Sequence, residues 1–272
     1  MAEMTELTRE LDEGVLWVTI NRPDARNALT TPMRDQLADW FSDASADLMV
    51  RSIVLTGAGE KAFCTGADLR SQPVAAPRPE GAPERATGDV ARVIQQGWQR
   101  LVTSILDCEK PVIAAVNGTA AGGGMHLALA CDLVIAAETA SFIEVFIRRG
   151  IAPDAGGAWL LTRLVGIQRA KELFFLGDEV PAARAEQLGL VNRVIPLADL
   201  ENEARALALR LAKAPTRAIA VTKALTNRAL DVDRATALLE EAWGQEQVTT
   251  TQDMKEGVAA FVERRDPEFK GY

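Results

Sequence analysis

Three consecutive glycines, Gly122, Gly123 and Gly124, are followed at once by Met125 and by the single histidine of the chain, His126. Met125 to Ala130 can be helical immediately, so the glycines stand at the mouth of a helix. The first N–H groups of a helix have no partner within it and carry the positive end of its dipole. Glycine lets a ligand approach such a backbone closely. The chemistry that suits this arrangement is the holding of a group that is, or becomes, an anion. A nucleotide phosphate loop would continue with Lys and then Ser or Thr, where Met125 and His126 stand. The dinucleotide fingerprint fits poorly as well, because Leu127 falls where a third small residue should pack. Glycines that only permit close helix–sheet packing would leave the same pattern, and both readings stay open on this segment alone.

The elements that would position these residues can be read in order. Thr5 to Leu11, the turn Asp12-Glu13-Gly14 and Val15 to Ile20 predict a hairpin. The polar loop Asn21 to Ala28 follows, with Thr30 or Thr31 as the cap of a helix that Pro32 opens and that aligns Met33, Leu37, Trp40 and Ala44. Ser52 to Thr56 reads as a buried strand ending at Gly57, and Lys61 to Leu69 as a second glycine-containing loop. The proline-rich stretch Gln72 to Gly88 predicts a long loop of the kind that forms a pocket wall. A helix from about Asp89 to Leu106 should present Val90, Val93, Ile94, Trp98, Leu101 and Ile105 to the core. Val112 to Val116 and Leu133 to Ala137 read as strands on either side of the glycine triplet, with a turn at Asn117-Gly118. A helix from Ala155 to Val165, another to Leu176, a short one from Pro181 to Leu188 and a strand from Leu190 to Ile195 come next. Beyond Leu197 only helices are expected. Strands alternating with helices and then helices alone predict an α/β body over 1–196 and a helical C-terminal region over 197–272.

Composition narrows the function classes. A chain of 272 residues with 48% hydrophobic and 25% charged residues has the make-up of a soluble globular protein. Its net charge of −8 argues against nucleic acid or an anionic membrane as partner. Cys64, Cys108 and Cys131 are odd in number and widely spaced, which suits reduced thiols and a cytoplasmic location. One histidine excludes a multi-histidine metal site, and no metal is expected. No secretory signal is visible before Glu10, and no apolar run approaches membrane-spanning length.

The segments NRPDARNAL, KAFCTGADL, KPVIAAVNGTAAGGGMHLALACDLVIA, the run through PDAGG, and EGVAAFVERRDPEFKG together resemble the crotonase superfamily, the enoyl-CoA hydratase and isomerase family. They are spread over nearly the whole chain. The resemblance implies a spiral of ββα units, a helical trimerisation region giving a homotrimer or a hexamer of two trimers, and an acyl-CoA thioester as substrate, with no tightly bound cofactor besides. Removing a proton beside the thioester carbonyl places negative charge on its oxygen, and two backbone N–H groups stabilise that enolate. By motif position these belong to Ala67 and Gly123. The same resemblance gives coenzyme A to the first loop, with Arg22, Ala25, Arg26 and Ala28, and to Gly66, Ala67, Asp68 and Leu69, with Gly123 beside them. Arg22 and Arg26 would meet phosphate, although exposed arginines are more often solvated.

The acid–base positions depart from the hydratase pattern. Hydratases of this family carry one glutamate two residues after the last glycine of the triplet, where His126 stands, and a second ten residues before Gly156, where Phe146 stands. Asp154 occupies a turn position at which isomerase-like and dehalogenase-like relatives carry a catalytic aspartate. The expected reading is therefore an enoyl-CoA isomerase in fatty-acid or related acyl-CoA metabolism, with Asp154 and His126 as catalytic groups. Hydration through His126 and Asp154, or an inactive acyl-CoA-binding homologue, is the alternative. Asp154 could instead cap the next helix, worth roughly 1 kcal/mol, and His126 could be a core histidine. Glu144 is expected at the surface, and Phe146, Trp98 and Trp159 in the core or the acyl-pocket wall.

Overall fold

A mostly polar segment that buries only Leu7 and a mostly apolar one make the first hairpin. In the computed structural model, which describes residues 6–71, 78–83 and 86–272, β1 (Leu7–Asp12) pairs antiparallel with β2 (Val15–Ile20). The turn between them uses positive φ at Glu13 and Gly14. Continuous apolar runs then give strands buried on both faces, as parallel sheets require. These are β3 (Ser52–Gly57), β5 (Val112–Val116) and β7 (Leu133–Ala137), which line up parallel beside β2, with β10 (Arg193–Ile195) at the far edge. A second sheet is built from short strands: β4 (Ala62–Cys64), β6 (Thr119–Ala121) and β8 (Ser141–Ile143) each follow a strand of the first, and β9 (Glu179–Pro181) joins antiparallel to β8. The chain thus crosses from one sheet to the other and returns through helices, repeatedly. This is the spiral of ββα units that the motifs imply.

The helices between are α1 (Thr31–Ala46), α2 (Asp89–Ile94), α3 (Arg100–Leu106), α4 (Gly123–Leu129), α5 (Gly157–Val165), α6 (Ile167–Leu176) and α7 (Ala182–Leu188). The C-terminal helices are α8 (Leu200–Ala212), α9 (Thr216–Arg228), α10 (Arg234–Thr249) and α11 (Gln252–Glu263). Helix α8 buries Ala204, Ala208 and Ala212, and the Ser52 hydroxyl donates to its Ala208 carbonyl at 2.9 Å. No helix among the described residues is long and apolar enough to cross a membrane.

Five expectations change. Between α2 and α3 the chain makes a π-helical turn, Gln95–Gln99, rather than one uninterrupted α-helix. A π turn carries an extra residue, and each residue of an α-helix advances about 100°. Residues before the turn are therefore out of phase with those after it: Val90 and Val93 are exposed, whereas Trp98, Leu101 and Ile105 are buried. Thr30 precedes α1 in extended conformation but makes no side-chain cap bond, and Phe41 joins Met33, Leu37 and Ala44 in the core. The expected strand Leu190 to Ile195 contracts to β10, and the two-residue turn at Asn117-Gly118 leads into the unforeseen strand β6. Trp159 is not core: its ring is partly exposed, under the Arg163 guanidinium at 3.9 Å. The expected pocket wall Gln72 to Gly88 falls partly outside the described residues, at 72–77 and 84–85, as do residues 1–5.

Candidate active site

Two loops meet at the mouth of α4. Asn27 organises the first: it is fully buried, holds φ at +56°, donates through Nδ2 to the Ala58 and Ala62 carbonyls, and accepts the Arg22 N–H at Oδ1. That turn presents Leu29 to the second loop, where Leu29 N–H donates to the Gly66 carbonyl and Asp68 N–H to the Leu29 carbonyl. Gly66, at φ +89°, sits so close to α4 that an added Cβ would lie 3.3 Å from the Gly123 nitrogen. Ala67 and Gly123 are thereby neighbours across the mouth. Neither of their N–H groups has a hydrogen-bond partner among the described residues, and Gly123 is the first residue of its helix.

Aromatic rings flank this point. A Cβ on Gly123 would strike the Trp98 ring at 2.9 Å, and one on Gly122 would meet the Phe146 ring at 3.6 Å. The π turn aims Trp98 here, and its neighbour Gln99 donates to the Asp154 carbonyl at 3.3 Å.

The chemical groups are arranged around His126, which is completely buried. Phe146 stacks on the imidazole, with centroids 5.2 Å apart and planes 14° apart, and Phe174 meets it edge-on. Glu144, expected at the surface, is only 2% exposed, and its Oε1 lies 2.9 Å from His126 Nε2. The reason is local. The Val145 N–H turns back to the Ile143 carbonyl and Phe146 takes helical angles, so strand alternation stops at the end of β8. Asp154 is raised from its ordinary value by burial, which positive charge at His126 opposes. It does not cap α5, because Gly156 stands at the cap and no side-chain bond is made there.

The coenzyme A residues expected in the first loop separate on inspection. Arg22 is engaged within the protein: Nη1 donates to the Ala28 carbonyl at 2.7 Å, Nη2 to Asp68 at 3.1 Å, and Nε pairs with Glu6. Its guanidinium braces the loops. Arg26 is exposed, with no side-chain partner among the described residues, at φ +52° on the outer turn beside Ala25. Asp68 is held below its ordinary value, first by the Arg70 N–H and then by Arg22, and Leu69 is exposed beside it. A separate cavity of about 650 Å³ between α5 and α9, lined by Cys131, Trp159, Leu164, Lys223 and Leu230 among others, contains none of these groups. Asn27 and Glu144 were missed as site residues. Nothing sets Asn27 apart from the other polar residues of its loop, and Glu144 is marked only as a carboxyl within an otherwise apolar run.

This geometry can be compared with known proteins. A family model described as "Enoyl-CoA hydratase/isomerase" matches residues 10–272. The chain belongs to the enoyl-CoA hydratase/isomerase family. Members of this family use CoA-thioester substrates, and the chain is an acyl-CoA enzyme of that family. Among its relatives in the family, it is 39% identical to a Rhodobacter capsulatus protein named "Probable enoyl-CoA hydratase", over 96% of each chain. It is 37% identical to the 1,2-epoxyphenylacetyl-CoA isomerase of Escherichia coli, over 98% of this chain and 99% of that one. Among solved structures, the enoyl-CoA hydratase from Bacillus anthracis superposes with a TM-score of 0.88 at 34% identity, covering 98% of this chain and 100% of the other.

Proposed function

We propose that this family member acts on an acyl-CoA through the thioester enolate and that it moves a double bond rather than adding water. The observation that carries this reading is the replacement of both hydratase carboxylates. A phenyl ring, Phe146, and an imidazole, His126, occupy those positions, stacked and buried. Two carboxyls lie beside them: Glu144, buried against His126 Nε2, and Asp154, which is only partly buried and is the one taken here to move the proton. In the proposed sequence the Asp154 carboxylate takes a proton from one carbon of the acyl chain. The electron pair moves into the thioester, whose oxygen accepts hydrogen bonds from the Ala67 and Gly123 N–H groups. Asp154 then returns the proton to a different carbon, and the double bond has shifted. One such N–H donor is worth about 100- to 1000-fold in rate. His126 is sealed from solvent, so its part is to support Asp154 and the ring wall. The hydratase names of two proteins compared above favour hydration as the second reading.

The test is incubation with saturated and unsaturated acyl-CoAs in heavy water, followed by mass spectrometry. Deuterium incorporation with migration of the double bond is expected. A gain of one water would replace this reading with hydration, and neither change would leave only binding.

Two further expectations belong here. Arg26, turned outward beside the coenzyme A loop, is proposed as a phosphate partner. Arg26→Ala should weaken coenzyme A binding by about tenfold, the effect of a charge-assisted contact, with the catalytic step nearly unchanged. Calorimetry giving equal affinity would return it to the solvated surface. The C-terminal region 197–272 is proposed to assemble the protein. Leu238, Leu239 and Trp243 on α10 and Val258, Phe261 and Val262 on α11 are exposed, an apolar surface that a second copy would cover. Light scattering should give a trimer or a hexamer, with Phe261 and Arg264 near a neighbour's coenzyme A. A monomer at micromolar concentration would remove the proposal.

A further inference from the structure

The contact between Glu144 and His126 is not required by the proton shuttle above, yet it is built with care. Both carboxylate oxygens face Nε2, at 2.9 and 3.2 Å, and Glu144 has no other side-chain partner among the described residues. At the opposite corner of the ring Nδ1 is buried and has no hydrogen-bond partner among the described residues. The ring cannot turn to change this. Phe146 covers one face, Phe174 meets an edge, and Gly157 approaches so closely that a Cβ there would lie 2.0 Å from Cε1 and Nε2.

With one ring hydrogen, on Nε2, the pair is a carboxylate beside a neutral imidazole, and it buries an uncompensated negative charge. With one hydrogen more its net charge is zero, whether as imidazolium and carboxylate or as imidazole and carboxylic acid. Either neutral form carries hydrogen on Nδ1. An uncompensated buried charge is far costlier than a buried neutral donor without a partner.

We propose that Glu144 is a positioning residue which, through a buried His126 bearing hydrogen on Nδ1, holds Asp154 as the carboxylate. The ring lies against Gly157, three residues after Asp154 and first in α5, so it underlies the turn that carries the carboxyl. Burial drives Asp154 toward its acid form, and positive charge at His126 opposes that drive. The titratable groups recorded against the ring are Glu144 and Asp154; Phe146, Phe174 and Gly157 carry no charge. The inference rests on Asp154 as the proton-moving group, but its test does not require turnover.

Because the chain has one histidine, the imidazole nitrogens of ¹⁵N-labelled protein give an NMR spectrum of His126 alone. A one-bond proton coupling on Nδ1 at neutral pH is expected in the wild type. Hydrogen on Nε2 alone would overturn the proposal, whatever the variants do. In protein labelled at the aspartate carboxyl carbons, with Asp154→Asn identifying the resonance, Glu144→Gln should raise the Asp154 midpoint by about one pH unit, a tenfold change in the ionisation equilibrium. Glu144→Asp should restore part of the shift. An unmoved midpoint in folded Glu144→Gln would also overturn it. If both resonances behave as expected and the wild type exchanges no deuterium, the coupling stands and the isomerase reading falls.

Discussion

Asp154→Asn is expected to abolish deuterium exchange and double-bond migration while acyl-CoA still binds. General acid–base groups contribute about 100- to 10000-fold, and the amide keeps the size of the side chain but cannot accept the proton. The pH dependence follows from the raised carboxyl. Only the carboxylate accepts a proton, so exchange should rise as pH climbs through a midpoint above the ordinary aspartate value of about 3.9. Stability should show the opposite trend. A carboxyl whose folded value exceeds its unfolded value binds more protons in the folded state over that window, so the fold loses stability as pH rises through it. Asparagine has no such window. At neutral pH Asp154→Asn should therefore melt no lower than the wild type, and the difference should vanish below the unfolded value. His126→Ala should slow exchange less. Full exchange in Asp154→Asn together with its loss in His126→Ala would reverse the two roles.

Gly124→Ala should cost the fold itself. An added Cβ would lie 2.0 Å from the Cys64 carbonyl oxygen and 2.5 Å from its carbon. Those are backbone atoms at the end of β4, leading directly into Gly66 and Ala67, so no side chain can swing aside. Overpacking a core by a methylene or more costs about 1–3 kcal/mol and sometimes more, and here the strain falls on the two loops of the site. A lowered melting temperature is expected, with loss of acyl-CoA binding even where the protein remains folded. Wild-type melting and wild-type affinity would mean that β4 and α4 can move apart freely, against the geometry described.

The parts of the fold that depend on hydrophobic pattern could be read from the chain. Val112 to Val116 and Leu133 to Ala137 are apolar throughout because both faces are covered, and the hairpin is marked by its turn at Glu13-Gly14. What could not be read depends on one residue more or less of rotation. A single 3.6-residue period placed Val90 and Val93 inside, and the π turn put them outside. Glu144 is a related case: alternation puts it on the side of Phe146 only in an extended segment, so the surface is the expectation, yet with a tight turn at Val145 it still reaches His126. For the proposed site, motif position singles out Ala67, Gly123, His126 and Asp154, which lie around the mouth of α4 and in the turn before α5. Arg22 carried the right charge in the right loop, but charge alone does not say that Asp68, Glu6 and the Ala28 carbonyl already surround it.

The π turn at Gln95–Gln99 also bears on how such a pocket can be remade. It puts Trp98 against Gly123 and Gln99 against the Asp154 carbonyl from adjacent positions. Deleting one residue there would restore ordinary helical winding and rotate everything upstream by about 100°, while α3 stays seated in the core. A single codon lost or gained at this point would then exchange the side chain packed against Gly123 and leave both glycine loops untouched. Substrate range could drift through changes in length, at a position where a comparison of residue types alone would see nothing.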